Sequence, residues 1–389
     1  MSEAKSFACV LGGVDLLRAI GLAGIPCVSV SPEGALPRFS RFSRSSVTWR
    51  DPAREPEALL VALVEFARKA GEPPVLFYQG DADTLFISRF RHRLAPHLRF
   101  VIPEASLVED LVDKERFQAL ARRLALPVPP STSLTPDRPP PRDLGVEFPA
   151  LVKPVSRQLV TWQPMAGHAK AVQVDSLREL NEVWRRAAAY RTPLLVQQLI
   201  PGDETRVESY HVYVDEGGHI VAAFTGRKVR TLPVRFGQST ALELTDQPDL
   251  HALGADLVGR MDLRGVAKLD FKRDADGTLY LLEVNPRFNL WHHLGAMAGV
   301  NLPALVYADL TGGARPSTSR AVAGVAWSRP LPDWRAVRAS GGSFRTWLRW
   351  TLKARARSGV AVDDPLLMFG WALHRISSWR LPPFARSST

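Results

Sequence analysis

The chain has 389 residues, 46% of them hydrophobic and 23% charged, the make-up of a globular protein large enough for two or three domains. No stretch approaches the ~18 uninterrupted apolar residues of a membrane-spanning helix. The formal charge of +11 is uneven: residues 316–389 hold 12 Arg and Lys against 3 acids, a net +9, so the remainder is near neutral and advertises no nucleic-acid groove.

The opening stretch carries one Lys ahead of an apolar run that breaks at Gly12–Gly13, so no secretory leader is expected and the cytoplasm is the expected address. Ser6–Leu11 reads as a strand, Val14–Ala23 as a helix and Pro26–Val30 as a second strand. Cys9 and Cys27, the only cysteines, fall in these strands and read as buried thiols. Pro56–Ala70 has helical spacing at Leu59, Leu60, Leu63, Val64 and Ala67. Pro74–Tyr78 is a short apolar strand, followed by Gln79-Gly-Asp-Ala-Asp and another helix. Strands separated by helices of this length predict a parallel, Rossmann-like sheet.

From about Ser106 the pattern changes. Asp113–Leu124 is an amphipathic helix with Asp113 as its N-cap, closed by Pro127, Pro129 and Pro130. A Pro-rich loop (Thr135–Arg142) leads to a strand at Ala150–Lys153, a helix at Ser176–Ala189 and a strand at Leu194–Gln197. Thr205–Val214 and His219–Phe224 form an expected hairpin. A second pairs Gly265–Lys272 with Thr278–Val284 through the turn Asp274-Ala-Asp-Gly. Antiparallel hairpins with helices predict an α+β region after the α/β front.

Glu283 and Asn285 stand two apart on one strand, so both side chains leave the same face. Asp270 lies 13 residues before Glu283 on the partner strand, and a tight hairpin brings the two carboxylates side by side. Facing carboxylates repel unless a cation lies between them. Oxygen donors from Asp270, Glu283 and Asn285 suit Mg²⁺, with Mn²⁺ as the alternative. Arg287 follows behind Pro286 and can meet phosphate or carboxylate as a fork.

These residues resemble the ATP-grasp superfamily, in its carboxylate–amine ligase branch, over residues 1–315. The resemblance implies a Rossmann-like domain at 1–105 and a two-lobed ATP-grasp domain at 106–315 with a hinge near 197–202. A basic, Trp-rich helical extension at 316–389 follows. By the same resemblance Lys114, after Asp113, and Lys153, in Phe148-Pro-Ala-Leu-Val-Lys-Pro, reach ATP phosphates. Gln197, Gln198, Leu199 and Ile200 form the adenine-holding hinge, and Glu204 holds ribose. Two departures stand out. The loop over the phosphates, Ser156–His168, has one Gly where the family is rich in Gly and Ser, and Arg157, His168 or Lys170 would have to contribute. Gln197 also stands where many members use an acid.

The implied reaction transfers the ATP γ-phosphate to a small-molecule carboxylate, and an amine then attacks the acylphosphate to give an amide or peptide-like bond. Lys228 and Arg230, in the basic segment Thr225–Ser239, are expected in a loop that binds triphosphate or carboxylate, beside Arg287. Asn289, Trp291, His292 and His293 are expected to line the acceptor pocket or to pack, since adjacent histidines rarely point together at a metal. Alternatives are an acid–thiol ligase, a carboxylase-like enzyme, or a nucleotide-binding interaction protein acting through its tail. A homodimer is compatible with all of these.

The tail holds 6 of the 10 Trp. Ser343–Arg357 reads as a helix with Phe344, Trp347, Leu348, Thr351 and Leu352 on one side and Arg345, Arg349, Lys353 and Arg357 on another. Pro365–Leu373 is an apolar run too short to span a bilayer. Packing on the core or a partner subunit is the preferred reading, because Trp-rich amphipathic helices are ordinary core elements. Contact with an anionic membrane surface is the second, and single-stranded nucleic acid the third.

Overall fold

The computed structural model describes residues 6–155, 159–167 and 169–370. The first sheet is parallel, with β1 (Ala8–Leu11), β2 (Cys27–Ser31), β3 (Ser43–Thr48) and β4 (Val75–Tyr78) in the order β3-β2-β1-β4. β1 and β4 are apolar and buried at every residue, as strands covered on both faces must be. Helix Val14–Gly21 returns the chain from β1 to β2, and Pro56–Lys69 carries it from β3 to β4. The strand order reverses between β1 and β4, which opens a crevice at their C-terminal ends, next to Gly12–Gly13 and Gln79. Cys9 and Cys27 are buried free thiols, and burial pushes both up to about 12. β3 was not expected: its sequence, SRSSVT, is a half-exposed edge without apolar alternation.

A small antiparallel sheet follows: β5 (Ser131–Leu134), β6 (Ala150–Pro154), β7 (Val172–Val174) and β8 (Leu194–Gln198), ordered β5-β8-β6-β7. Helix Leu177–Ala189 closes its core of Val152, Val174, Leu180 and Val196, and its Ser176 cap is in place. The expected cap at Asp113 is also formed, its carboxylate accepting from the backbone N–H groups of Glu115 and Arg116 at 2.9 Å each.

The largest sheet has seven strands: β9 (Val207–Val214), β10 (Ile220–Leu232), β11 (Gln238–Thr245), β12 (Gly265–Arg273), β13 (Leu279–Asn285), β14 (Ala326–Ser328) and β15 (Ala356–Arg357). Their order is β13-β12-β9-β10-β11-β14-β15. Two expectations change here. The basic segment from Thr225 continues β10 as strand rather than loop, and β14 and β15 come from beyond residue 316 and extend the same sheet.

The sheets are tied together at named points. Phe288, just past β13, packs edge-on against Phe77 and Tyr78 at 5.0 and 5.7 Å, and its N–H donates to the Tyr78 carbonyl. Asp364, wholly buried, accepts from Ser40 Oγ at 2.6 Å, the Arg41 N–H at 2.9 Å and Arg18 Nη1 at 3.3 Å. Asp15, on the first helix, binds Ser358 Oγ, Trp327 Nε1 and His293 Nδ1. The chain's last described stretch therefore fastens the first sheet to the third. Among the described residues no helix is long and apolar enough to cross a membrane.

Candidate active site

The β12–β13 hairpin sets Asp270 directly opposite Glu283, the pairing expected from their spacing, with an irregularity in register just after Asp270. Asp270 is 4% exposed. Its Oδ1 accepts from Ser209 Oγ on β9 and its Oδ2 from Lys268 Nζ, each at 2.5 Å. Lys268 precedes Asp270 by two residues and so shares its face. It supplies the counter-charge that a buried carboxylate needs. Glu283 is exposed and accepts from Asn285 Nδ2 at 3.2 Å, while Asn285 Oδ1 accepts from Arg287 at 3.1 Å. Asp270, Glu283 and Asn285 thus form one run of hard oxygen donors. Among the described residues no cluster of three or more His, Cys, Asp or Glu side chains could hold a metal by itself. Two carboxylates and an amide fit Mg²⁺, which fills the rest of its shell with water and phosphate.

A group of cations faces these carboxylates. Lys153, on β6, donates to Gln197 Oε1 on β8 at 2.8 Å. Burial pulls the Lys153 ammonium below the usual lysine range, nearby Lys228 pulls the same way, and Glu283 opposes both. Lys228 Nζ lies 3.7 Å from Glu204 Oε2, and Glu204 Oε1 accepts from the Phe236 N–H. Lys272, two residues past Asp270, donates to the carbonyls of Gly202 and Asp203, and burial depresses its ammonium as well. Lys114 Nζ reaches the Pro154 and Val155 carbonyls at 2.5 and 3.2 Å, at the end of β6. Lys114, Lys153 and Lys228 therefore approach one region from three elements. Gln197 and Ile200 are buried at the β8 end, with Gln198 and Leu199 half-buried.

Arg287 sits where the parallel sheet meets the seven-stranded one. Its Nε donates to Asp81 Oδ1 at 2.5 Å, just beyond β4, so the fork spans the crevice above the parallel strands. Arg230 differs from expectation. Its Nε and Nη2 both donate to Asp333, at 2.8 Å each, and its guanidinium lies 5.0 Å from the Trp350 ring. Asp333 is wholly buried and also accepts from Thr240 Oγ1, so the fork of Arg230 is committed to the C-terminal extension and not to a ligand. Asn289, Trp291, His292 and His293 are all buried packing groups. His292 Nδ1 meets Asn289 while His293 Nδ1 meets Asp15, so the two rings face different neighbours. Of the covering loop, Leu159–Ala166 is helical; Arg157 and His168 lie outside the described residues, and Lys170 is exposed.

Sequence reasoning missed Ser209, Lys268, Lys272 and Asp81. The two lysines were open to discovery, because Lys268-x-Asp270-x-Lys272 alternates on one face of β12. Ser209 and Asp81 carried no signal, being 61 and 206 residues from their partners.

A family described as ATP-grasp in the biosynthetic pathway with Ter operon matches residues 190–329, which span β8–β14 and both halves of the carboxylate hairpin. Over those residues the chain is similar to the ATP-grasp family. It is 24% identical over 271 residues to a D-aspartate ligase of Enterococcus faecium, covering 67% of this chain and 64% of that one. It is 27% identical over 213 residues to a D-alanine–D-alanine ligase of Halorhodospira halophila, covering 50% and 64%. The chain thus spans slightly under two thirds of the length of these curated relatives. Among solved structures, the fold is similar to that of an N5-carboxyaminoimidazole ribonucleotide synthetase in its ADP complex. The TM-score is 0.65 at 14% identity, over 97% of this chain and 98% of that one.

Proposed function

We propose that the protein is an ATP-dependent ligase that activates a small-molecule carboxylate as an acylphosphate and joins it to an amine. What supports this is that Lys153 lies within electrostatic reach of both Glu283 and Lys228, that Lys114 meets the end of the strand carrying Lys153, and that Arg287 adjoins Asn285. Lys153, whose charge is disfavoured by burial and by nearby Lys228, gains from a bound polyanion, and a triphosphate is one. Asp270, Glu283 and Asn285 would hold Mg²⁺, which supplies charge neutralisation at phosphate. Lys114 and Lys153 bind phosphate oxygens, and Gln197, Gln198, Leu199 and Ile200 frame adenine with Glu204 at the ribose. Lys228 and Arg287 orient the anionic groups through phosphoryl transfer, where positioning and electrostatics do most of the catalysis.

We read the parallel sheet as the Rossmann-like domain that closes the carboxylate site through Asp81 and Arg287. On this reading residues 1–105, 106–315 and 316–389 are the three units, the last fastened to the first two. Similarity to D-aspartate and D-alanine–D-alanine ligases supports amide formation between amino acids. The test is ADP release on adding ATP, Mg²⁺ and pairs of D- and L-amino acids. Turnover is expected for at least one pair, and Glu283→Gln abolishes it without changing the unfolding transition, since Glu283 is exposed. Absence of turnover with every pair, while ATP still binds, overturns the assignment.

A further inference from the structure

Helix Phe344–Lys353 lies on the protein with two of its faces used and one left over. Trp347 Nε1 donates to the Pro330 carbonyl at 2.8 Å and Trp350 Nε1 to the Trp327 carbonyl at 3.4 Å, so the Trp side holds the helix against β14 and helix Pro330–Ala339. A neighbouring side is largely exposed, although the Phe344 ring also meets those of Trp347 and Trp334 at 5.2 and 5.6 Å. Phe344, Leu348 and Leu352 recur every four residues and are 54%, 37% and 68% exposed. That spacing stacks them into one stripe along the helix. One position on in each turn, Arg345, Arg349 and Lys353 form a parallel basic stripe, also exposed. Exposed Arg335, Arg338 and Arg355 flank the helix.

The charge around this stripe is one-sided. Residues 334–362 contain Arg335, Arg338, Arg345, Arg349, Lys353, Arg355 and Arg357 and no acid. Among the described residues, only Lys353 of the three on the helix meets a carboxylate, that of Glu243 at 2.6 Å. Residues 371–389 bring Arg375, Arg380 and Arg386 and again no acid, so they cannot offset this charge. A second copy of the same surface would repel it for the same reason. An apolar stripe beside a basic stripe suits a surface that is apolar beneath and anionic at its edge, which is a bilayer with anionic headgroups.

We infer that helix Phe344–Lys353 docks the protein on anionic lipid, with Phe344, Leu348 and Leu352 entering the headgroup–acyl boundary and Arg345 and Arg349 on headgroup phosphates. The site is remote from the hairpin carboxylates in the sheet order and does not depend on the ligase reading. Trp347 and Trp350, the residues that first suggest an interfacial helix, take no part in it.

The test is co-sedimentation of the full chain with phosphatidylcholine vesicles, with and without about 30 mol % phosphatidylglycerol. Binding is expected only with the anionic lipid and should weaken as salt is raised. Each Arg near an anionic leaflet is worth roughly a five-fold change in partitioning, so Arg345→Gln/Arg349→Gln should weaken binding about 25-fold. Leu348→Ser/Leu352→Ser should weaken it to a comparable degree, and intact unfolding transitions of both variants show that the fold is kept. Absence of pelleting, equal pelleting with neutral vesicles, or pelleting that neither variant alters each overturns the proposal. So does a concentration-dependent dimer that Leu348→Ser/Leu352→Ser dissolves, or tighter binding to single-stranded oligonucleotide than to the anionic vesicles.

Discussion

The pair Arg230–Asp333 separates a ligand-binding arginine from a structural one. Asp333 is wholly buried, accepts from both forks of Arg230 and from Thr240, and lies on the helix Pro330–Ala339 against β10. Removing its charge in Asp333→Asn leaves a guanidinium that is 18% exposed without its counter-ion. Breaking such a pair from one side costs about 3 kcal/mol, the low end of the range for buried pairs because Arg230 keeps some solvent and its Trp350 face. Arg230→Met should cost a similar amount, since it strands the carboxylate. The double variant Arg230→Met/Asp333→Leu should return to within about 1 kcal/mol of the parent, because neither charge is then buried alone. Urea unfolding followed by Trp fluorescence reads all three. ATP affinity decides the rest: a brace predicts that the double variant recovers binding, whereas a phosphate ligand predicts that every variant lacking Arg230 stays weak. An Asp333→Asn cost below about 1 kcal/mol, or a double variant as weak for ATP as Arg230→Met, refutes the brace.

The other expectations concern charge and metal. Burial raises the Asp83 carboxyl to about 6 although the Gly80 N–H and Arg287 favour its charged form. Between pH 4 and 6 this carboxyl therefore holds a proton in the native state that it has released in the unfolded chain, and its contribution to stability falls as pH rises through that window. Relative to Asp83→Asn, the parent should lose the equivalent of about 2 kcal/mol of stability from pH 4.5 to 7 in urea unfolding; a parent-minus-variant difference that stays flat or grows with pH contradicts the assignment. Lys268→Met strips the buried Asp270 of its ammonium and should cost about 2 kcal/mol in EDTA, with Mg²⁺ restoring more of the melting temperature in the variant than in the parent. Equal metal shifts would place the ion elsewhere. Asp364→Ala empties three hydrogen bonds in a wholly buried position and should cost about 3 kcal/mol. Hydrogen exchange should then show residues 358–367 opening first, and uniform exchange would show that the clasp is not where the extension is held.

What could be read from the sequence and what could not divides along the range of the interactions. The Asp270–Glu283 pairing was legible because a hairpin is local: two apolar strands, a turn at Asp274–Gly277, and a period of two fix which side chains share a face. The parallel front was legible for the same reason, through its buried β1 and β4. β3 was not, because an edge strand of Ser and Arg needs no apolar alternation when only its hydrogen bonds are used. The strand character of residues 225–232 was hidden by their charge. Arg227 and Arg230 look like loop residues until Glu243 and Asp333 are placed against them, one from the next strand and one 103 residues on. An isolated run of basic residues therefore says that anions lie nearby, without saying whether they are ligands or the protein's own carboxylates. In this chain both cases occur on one strand. Lys228 lies 3.7 Å from Glu204 and near Lys153, and no fork holds it. Two residues later Arg230 commits Nε and Nη2 to the buried Asp333, so on the function proposed above Lys228 is the phosphate contact of the two.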